Sequence, residues 1–257
     1  MTDTLTPAPE KYLIPNLAKA CSLLRLLARS DQGLTAQTIA KELQIPRTTA
    51  FRILRTLAHQ GLVEKDAALY QPGPALLEIG SNVLSHNRIR ERSALILQAL
   101  TRETGETSHL AIPSANLALI LEVCDSPNPV RVASRAGTLV DLHCSATGKC
   151  LLAYTYGDRL ADVLPSLPLT ARTKNTITDP GALIEMADQV RRQGYALDNE
   201  EYHEGVRCLA APVWRGQQVI AAIGVTAAVS NFPTRRINAI AQLVQGAATD
   251  LTKSLGG

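Results

Sequence analysis

Long apolar runs, paired cysteines and aromatic side chains are what this 257-residue chain has least of. No stretch approaches the ~20 consecutive apolar residues that a membrane-spanning helix needs. The polar, proline-containing Met1 to Pro9 lacks the basic and apolar parts of a signal peptide, so a cytoplasmic location is expected. The five cysteines, Cys21, Cys124, Cys144, Cys150 and Cys208, are odd in number and show no C-x-x-C spacing. That pattern suggests neither a disulfide framework nor a structural zinc site, and reduced thiols are expected. Aromatics make up only 4% of the residues while 46% are apolar, the composition of a globular protein with room for one large or two modest domains. Internal repeats and low-complexity tracts are lacking too.

Nor is there a large excess of either charge, the formal total being +3, but its distribution is uneven. Residues 1–92 carry 12 Lys and Arg against 8 Asp and Glu, whereas the remainder carries 14 against 15. The basic excess has the sign needed to neutralise phosphates and sits where the most informative motif lies.

That motif is Thr35 to Gln60. Ile39, Leu43, Ile45, Ala50 and Ile53 are spaced to face one another across two short helices joined by a tight turn. Ala40 is small where the helices cross, and Pro46 is expected at the first position of the second helix, where its missing N–H costs nothing. The pattern predicts a helix-turn-helix. Its outward positions are Arg47, Thr48, Thr49, Arg52 and Arg55, guanidinium and hydroxyl groups suited to phosphates and base edges. Gly61 to Glu64, a turn over Lys65 to Ala68, and Leu69 to Gln71 predict a hairpin wing, with Lys65 at its tip. Together with Thr35 these form the expected DNA-binding set. Leu17, Ala20, Cys21, Leu24, Leu27 and Ala28 supply a preceding helix, so residues 10–73 read as a winged helix-turn-helix domain.

Pro72-Gly73-Pro74 breaks the chain, and residues 74–88 predict an amphipathic linker helix whose apolar stripe needs a partner. A Leu- and Ile-rich helix from Ile89 to Thr104 then opens a larger domain, 89–257. Strands are predicted at Thr107–Ile112, Leu117–Cys124 and Val130–Arg135, and again at Tyr195–Glu201, Val206–Trp214 and Val219–Val229. Between and after them fall helices at Ala146–Tyr156, near Asp158–Leu164, at Pro180 to Gly194 with Asp179 as cap, and at Thr234–Ser254. This is an α+β domain, its antiparallel sheet expected to carry helices on one face and a small ligand on the other.

Six segments in order, Tyr70-Gln71-Pro72-Gly73-Pro74, Gly105-Glu106-Thr107, Leu142 to Lys149, Thr173 to Asp179, Gly194 to Glu201 and Gly205 to Val213, resemble the IclR-type transcriptional regulators over essentially the whole chain. The resemblance implies a C-terminal effector domain similar to GAF and profilin-like sensory folds. One winged helix reads too few base pairs and the linker stripe needs a partner, so a homodimer through the N-terminal half on a pseudo-palindromic operator in double-stranded DNA is expected, without a cofactor. The resemblance also implies that dimers pair through effector domains into tetramers. It further implies a small carboxylate held by the backbone N–H groups of Ala146 and Thr147, at a helix start suited to anions. Asp198 and Cys208 match positions facing the pocket. Gly224 and Thr226 fall where relatives that bind short oxoacids carry Ser-x-Ser, a lost hydroxyl expected to leave room for a bulkier acid. Val132, Val140 and Val206 are expected to line the rest. Asp141 stands where proline is usual, and Gln44 where the turn prefers glycine.

Two other readings compete. A metal sensor would draw on His109, His143, Asp198, His203 and Cys208, which have suitable donor atoms but no short ligand spacing. A thiol enzyme would pair Cys144 or Cys208 with His143 or His203, though adjacent strand residues such as His143 and Cys144 point apart.

Overall fold

The computed structural model describes residues 12–256, so the reading of Met1 to Pro9 and the start of the first domain at residue 10 fall outside the described residues. The chain divides into two compact units, the first ending at Asn87 and the second beginning at Arg88.

In the first unit, helix α1 (Pro15–Leu27) begins on a proline, whose missing N–H would be unpaired there in any case. The Thr35 hydroxyl caps α2 (Ala36–Glu42), accepting from the Thr38 N–H at 3.1 Å. A turn with Gln44 at φ +52° leads into α3 (Arg47–His59). Pro46 is the residue before the first turn rather than its first member, one position from the expectation. Leu23, Leu27, Ile39, Ile53, Leu54 and Leu57 form the core with Val63 and Tyr70 of the wing. The wing is β2 (Val63–Asp66) and β3 (Leu69–Pro72), turning on Ala67 and Ala68. A two-residue strand β1 (Leu34–Thr35), too short for any alternation to announce it, adds to the far side of β3. Helix α4 (Pro74–Ser85) follows, with no buried residue along its length.

The second unit opens with α5 (Arg88–Thr104) and holds an antiparallel sheet. Its strands are β4 (Thr107–Ser114), β5 (Leu117–Cys124), β6 (Leu139–Asp141), β7 (Ala196–Asn199), β8 (Val206–Arg215) and β9 (Gln218–Ala228), in the order β6-β5-β4-β9-β8-β7. The third strand of the first group is therefore Leu139–Asp141 and not Val130–Arg135, which follows Pro129 and pairs with no strand. Both faces of the sheet are covered, where one was expected. On one face α5 and α9 (Ile237–Ser254) bury Leu97, Leu110, Ile223, Val225, Val244 and Leu251. On the other, α6 (Ala146–Thr155) and α8 (Pro180–Gln193) bury Ala111, Leu151, Leu152, Leu183, Val190 and Ala222. Between those two helices lie a short α7 (Leu160–Val163) and two 3-10 turns. Asp179 caps α8 by accepting from the Ala182 N–H at 2.8 Å, and Gly194 ends it at φ +78°.

Candidate functional site

Helix α3 turns Ala50, Ile53, Leu54 and Leu57 inward, and this fixes what faces out. Arg47, Thr48, Arg52 and Arg55 are exposed and Thr49 is half-buried, on a helix that carries no acidic residue. Phe51, 48% exposed, stands in the same stripe as Thr48, Arg52 and Arg55. The charge-and-hydroxyl pattern passes over it, although an apolar contact with a thymine methyl is part of base readout. Thr35 is half-buried, its hydroxyl occupied by the α2 cap and 2.9 Å from that of Thr38. Lys65 is exposed on the wing, its ammonium 5.8 Å from the centre of the Tyr70 ring.

In the second unit the start of α6 opens onto a cavity of ≈ 520 Å³. Ser145 caps the helix, accepting from the Gly148 N–H at 3.1 Å while donating to the Asp141 carbonyl at 2.7 Å. Gly148 is required here, since a Cβ would lie 2.2 Å from that same carbonyl oxygen. The amides of Ala146 and Thr147 are then among those a helix leaves without an internal partner, and both residues line the cavity. Val132, Val140, Val206 and Thr226 line it as well, joined by His109, Ile120, Arg135, Tyr202 and His203.

Asp198, Cys208 and Gly224 are not among the lining residues. Asp198 is buried, pairs with Cys208 in register, and accepts through Oδ1 from the N–H groups of Glu201 at 2.8 Å and Tyr202 at 3.2 Å. Its Oδ2 has no partner, and burial raises the carboxyl pKa to about 6 in spite of those two bonds. The Cys208 thiol lies 3.0 Å from the Thr226 hydroxyl. A Cβ at Gly224 would approach the Leu209 carbonyl oxygen to 2.4 Å, so the bare position serves the close approach of β8 and β9. It does not supply free volume for a larger acid, as the missing hydroxyl had led one to expect.

Beside the cavity, two ion pairs tie α6 and the loops next to it to the sheet. Lys149 of α6 donates to Glu201 and to the Leu197 carbonyl, both at 2.6 Å, in a fully buried pair. Asp141 binds Arg172, whose guanidinium lies 4.3 Å from the centre of the Tyr202 ring.

Residues 81–253 match the family model of the bacterial transcriptional regulator IclR C-terminal domain, and residues 16–67 that of the IclR helix-turn-helix domain. The chain belongs to the IclR family. It is 35% identical over 239 residues to the HTH-type transcriptional regulator BhcR of Paracoccus denitrificans, covering 92% of this chain and 85% of that protein. A crystal structure of a putative IclR transcriptional regulator from Silicibacter sp. TM1040 superposes with a TM-score of 0.84 at 27% identity, over 94% of this chain and 96% of that one. An IclR homologue from Microbacterium hydrocarbonoxydans, crystallised with 4-hydroxybenzoate, has the same fold, with a TM-score of 0.78 at 23% identity over 94% and 99% of the two chains.

Within this IclR-family fold the residues of the competing readings are dispersed or already engaged. Among the described residues no three His, Cys, Asp or Glu side chains gather as a metal site requires. The Nε2 of His143 is 3.0 Å from the Thr170 carbonyl oxygen, and that of His203 lies on an exposed residue whose Nδ1 is 2.9 Å from the Glu204 carbonyl oxygen. Burial pushes the Cys144 thiol up to about 12, helped by the Asp141 carboxylate, and puts Cys208 well above the ordinary thiol range. A nucleophilic cysteine needs the opposite shift. No helix among the described residues is long and apolar enough to cross a membrane.

Proposed function

We propose that this DNA-binding transcriptional regulator responds to a small organic acid, whose carboxylate is received by the backbone N–H groups of Ala146 and Thr147. The observation that carries the reading is the capped start of α6 opening onto a cavity of ≈ 520 Å³. A helix N-terminus is a fixed anion site, its amides unpaired and its dipole positive. In this reading Val132, Val140 and Val206 pack on the apolar part of the acid and Thr226 gives a hydroxyl. Asp198, Cys208 and Gly224 act from behind that wall, through Tyr202, Thr226 and the spacing of β8 and β9. The 4-hydroxybenzoate bound by a neighbour of the same fold is an acid of this kind.

At the other end Arg47, Thr48, Thr49, Phe51, Arg52 and Arg55 read the major groove, Lys65 follows the adjacent backbone, and Thr35 fixes the start of the helix pair. One such reader specifies too few base pairs, so the regulator acts as a homodimer on a pseudo-palindrome, and pairs of dimers form tetramers. The protein works in the cytoplasm without catalysis, cofactor or metal.

The test is a panel of two-carbon and three-carbon oxoacids and substituted benzoates, screened by thermal shift and then added to gel shifts on operator DNA. At least one acid raises the melting temperature and changes operator affinity. Arg52→Ala loses at least ~10-fold in operator affinity, as expected for a base contact, with the acid response in thermal shift intact. An acid-insensitive protein whose operator affinity survives Arg52→Ala would contradict both halves.

A further inference from the structure

Among the residues that line the cavity, one has a buried side-chain nitrogen without a hydrogen-bond partner. His109 lines the cavity from β4 and is 5% exposed, and its Nδ1 has no hydrogen-bond partner. Its position in the sheet explains why. The residues paired with it on either side are Gly224 of β9, which has no side chain, and Val123 of β5, which packs as a hydrophobic residue against the same core. Neither residue directly opposite can serve the ring, and the hydroxyl diagonal to it on β9, that of Thr226, is engaged 3.0 Å from the Cys208 thiol. Burial lowers the imidazole pKa to about 4, so the ring is neutral over the physiological range and carries one donor nitrogen and one acceptor nitrogen.

Such a group is poorly matched to a carboxylate, which it could not neutralise, and well matched to a hydroxyl, which donates and accepts and so suits a ring nitrogen in either tautomer and either orientation of the ring. We propose that His109 determines the specificity of the cavity by hydrogen bonding to a hydroxyl on the effector, making the effector a hydroxy acid. This rests on the reading of the α6 start as the carboxylate site. An acid without the hydroxyl leaves the buried nitrogen unpaired and is discriminated against, as polar sites reject apolar analogues.

The experiment compares acids that differ by a single hydroxyl: 4- and 3-hydroxybenzoate against benzoate, and lactate against propionate. Calorimetry on the wild-type protein is expected to show at least one hydroxy acid binding ~10-fold or more tightly than its partner. In His109→Leu that preference disappears, because the hydroxy acid weakens to the level of the plain acid. Should the leucine variant not fold, ring-¹⁵N spectra of the wild type give the same answer, a His109 ring-nitrogen resonance moving with the hydroxy acid and not with its partner. Acids that bind without a hydroxyl preference, a preference that survives His109→Leu, or unmoved His109 ring-nitrogen resonances would overturn this proposal alone. Failure of every acid to bind would overturn the carboxylate site, and this proposal with it.

Discussion

Asp198 is held as a carboxylate on one side and as a carboxylic acid on the other. Two backbone N–H groups reach Oδ1, while Oδ2 is buried bare. Desolvation outweighs the bonds and raises the pKa from 3.8 to about 6. In the unfolded chain the group returns to the ordinary value, so between about pH 4 and pH 6 the native state binds more protons than the unfolded one. Stability therefore falls as pH rises through that window and is flat, on this account, above it. Asp198→Asn keeps the acceptor at Oδ1 and removes the buried charge. It is expected to be more stable than the wild type at pH 7.5 by about 1–3 kcal/mol, with the advantage reduced to about a third of that at pH 4.5. Urea denaturation at the two pH values measures this, and a variant less stable at pH 7.5 would show that Asp198 is needed as an anion.

Among the elements, α6 is the one whose start has to be both rigid and open. Ser145 is its only side-chain cap and also ties it to the Asp141 carbonyl. Ser145→Ala should cost about 1 kcal/mol in thermal denaturation and weaken acid binding by more than it lowers stability at the binding temperature, because the freed amides turn from the ligand. Unchanged affinity would detach the helix start from the ligand. The helices were largely legible from sequence because their punctuation is local: Asp179, Pro180 and Gly194 bound α8 where they were expected to. The strands were legible where alternation ran long. Leu139–Asp141 is three residues, too short to alternate, whereas Val130 and Val132 alternate without finding a partner strand. The site follows the same division. The helix start at Ala146 and Thr147 is written in a contiguous motif, but the pairing of His109 with Gly224 and Val123 joins residues from three strands and is set by register alone.

At the scale of the whole molecule, α4 leaves Leu77 75%, Ile79 54% and Val83 62% exposed. Isolated apolar residues on a surface need no explanation, but a helix with no buried residue and this many apolar ones is stable only against a partner. If that partner is a second copy, Ile79→Glu combined with Val83→Glu, one turn apart on the same face, abolishes pairing through α4, and the tetramer falls to dimers held by its other interface. Light scattering at micromolar concentration should report the change, with a loss of cooperative operator binding in gel shifts. A variant that remains tetrameric would move the interface elsewhere.

The outer edge of β7 carries a consequence for how such a protein survives at high concentration. The Leu197 carbonyl is occupied by Lys149, the Asn199 carbonyl accepts from Asn175 at 3.3 Å, and the Asn199 N–H points to Glu201 at 3.4 Å. The opposite edge, β6, is only three residues long. A sheet rich in Ala, Val and Leu would otherwise be a template for any passing strand, and both ends are blunted, one by side chains standing in for the next strand and one by brevity. Open-ended polymerisation through the backbone is thereby discouraged. What remains for self-association is the meeting of side-chain surfaces, which can be selected to close on a finite number of copies.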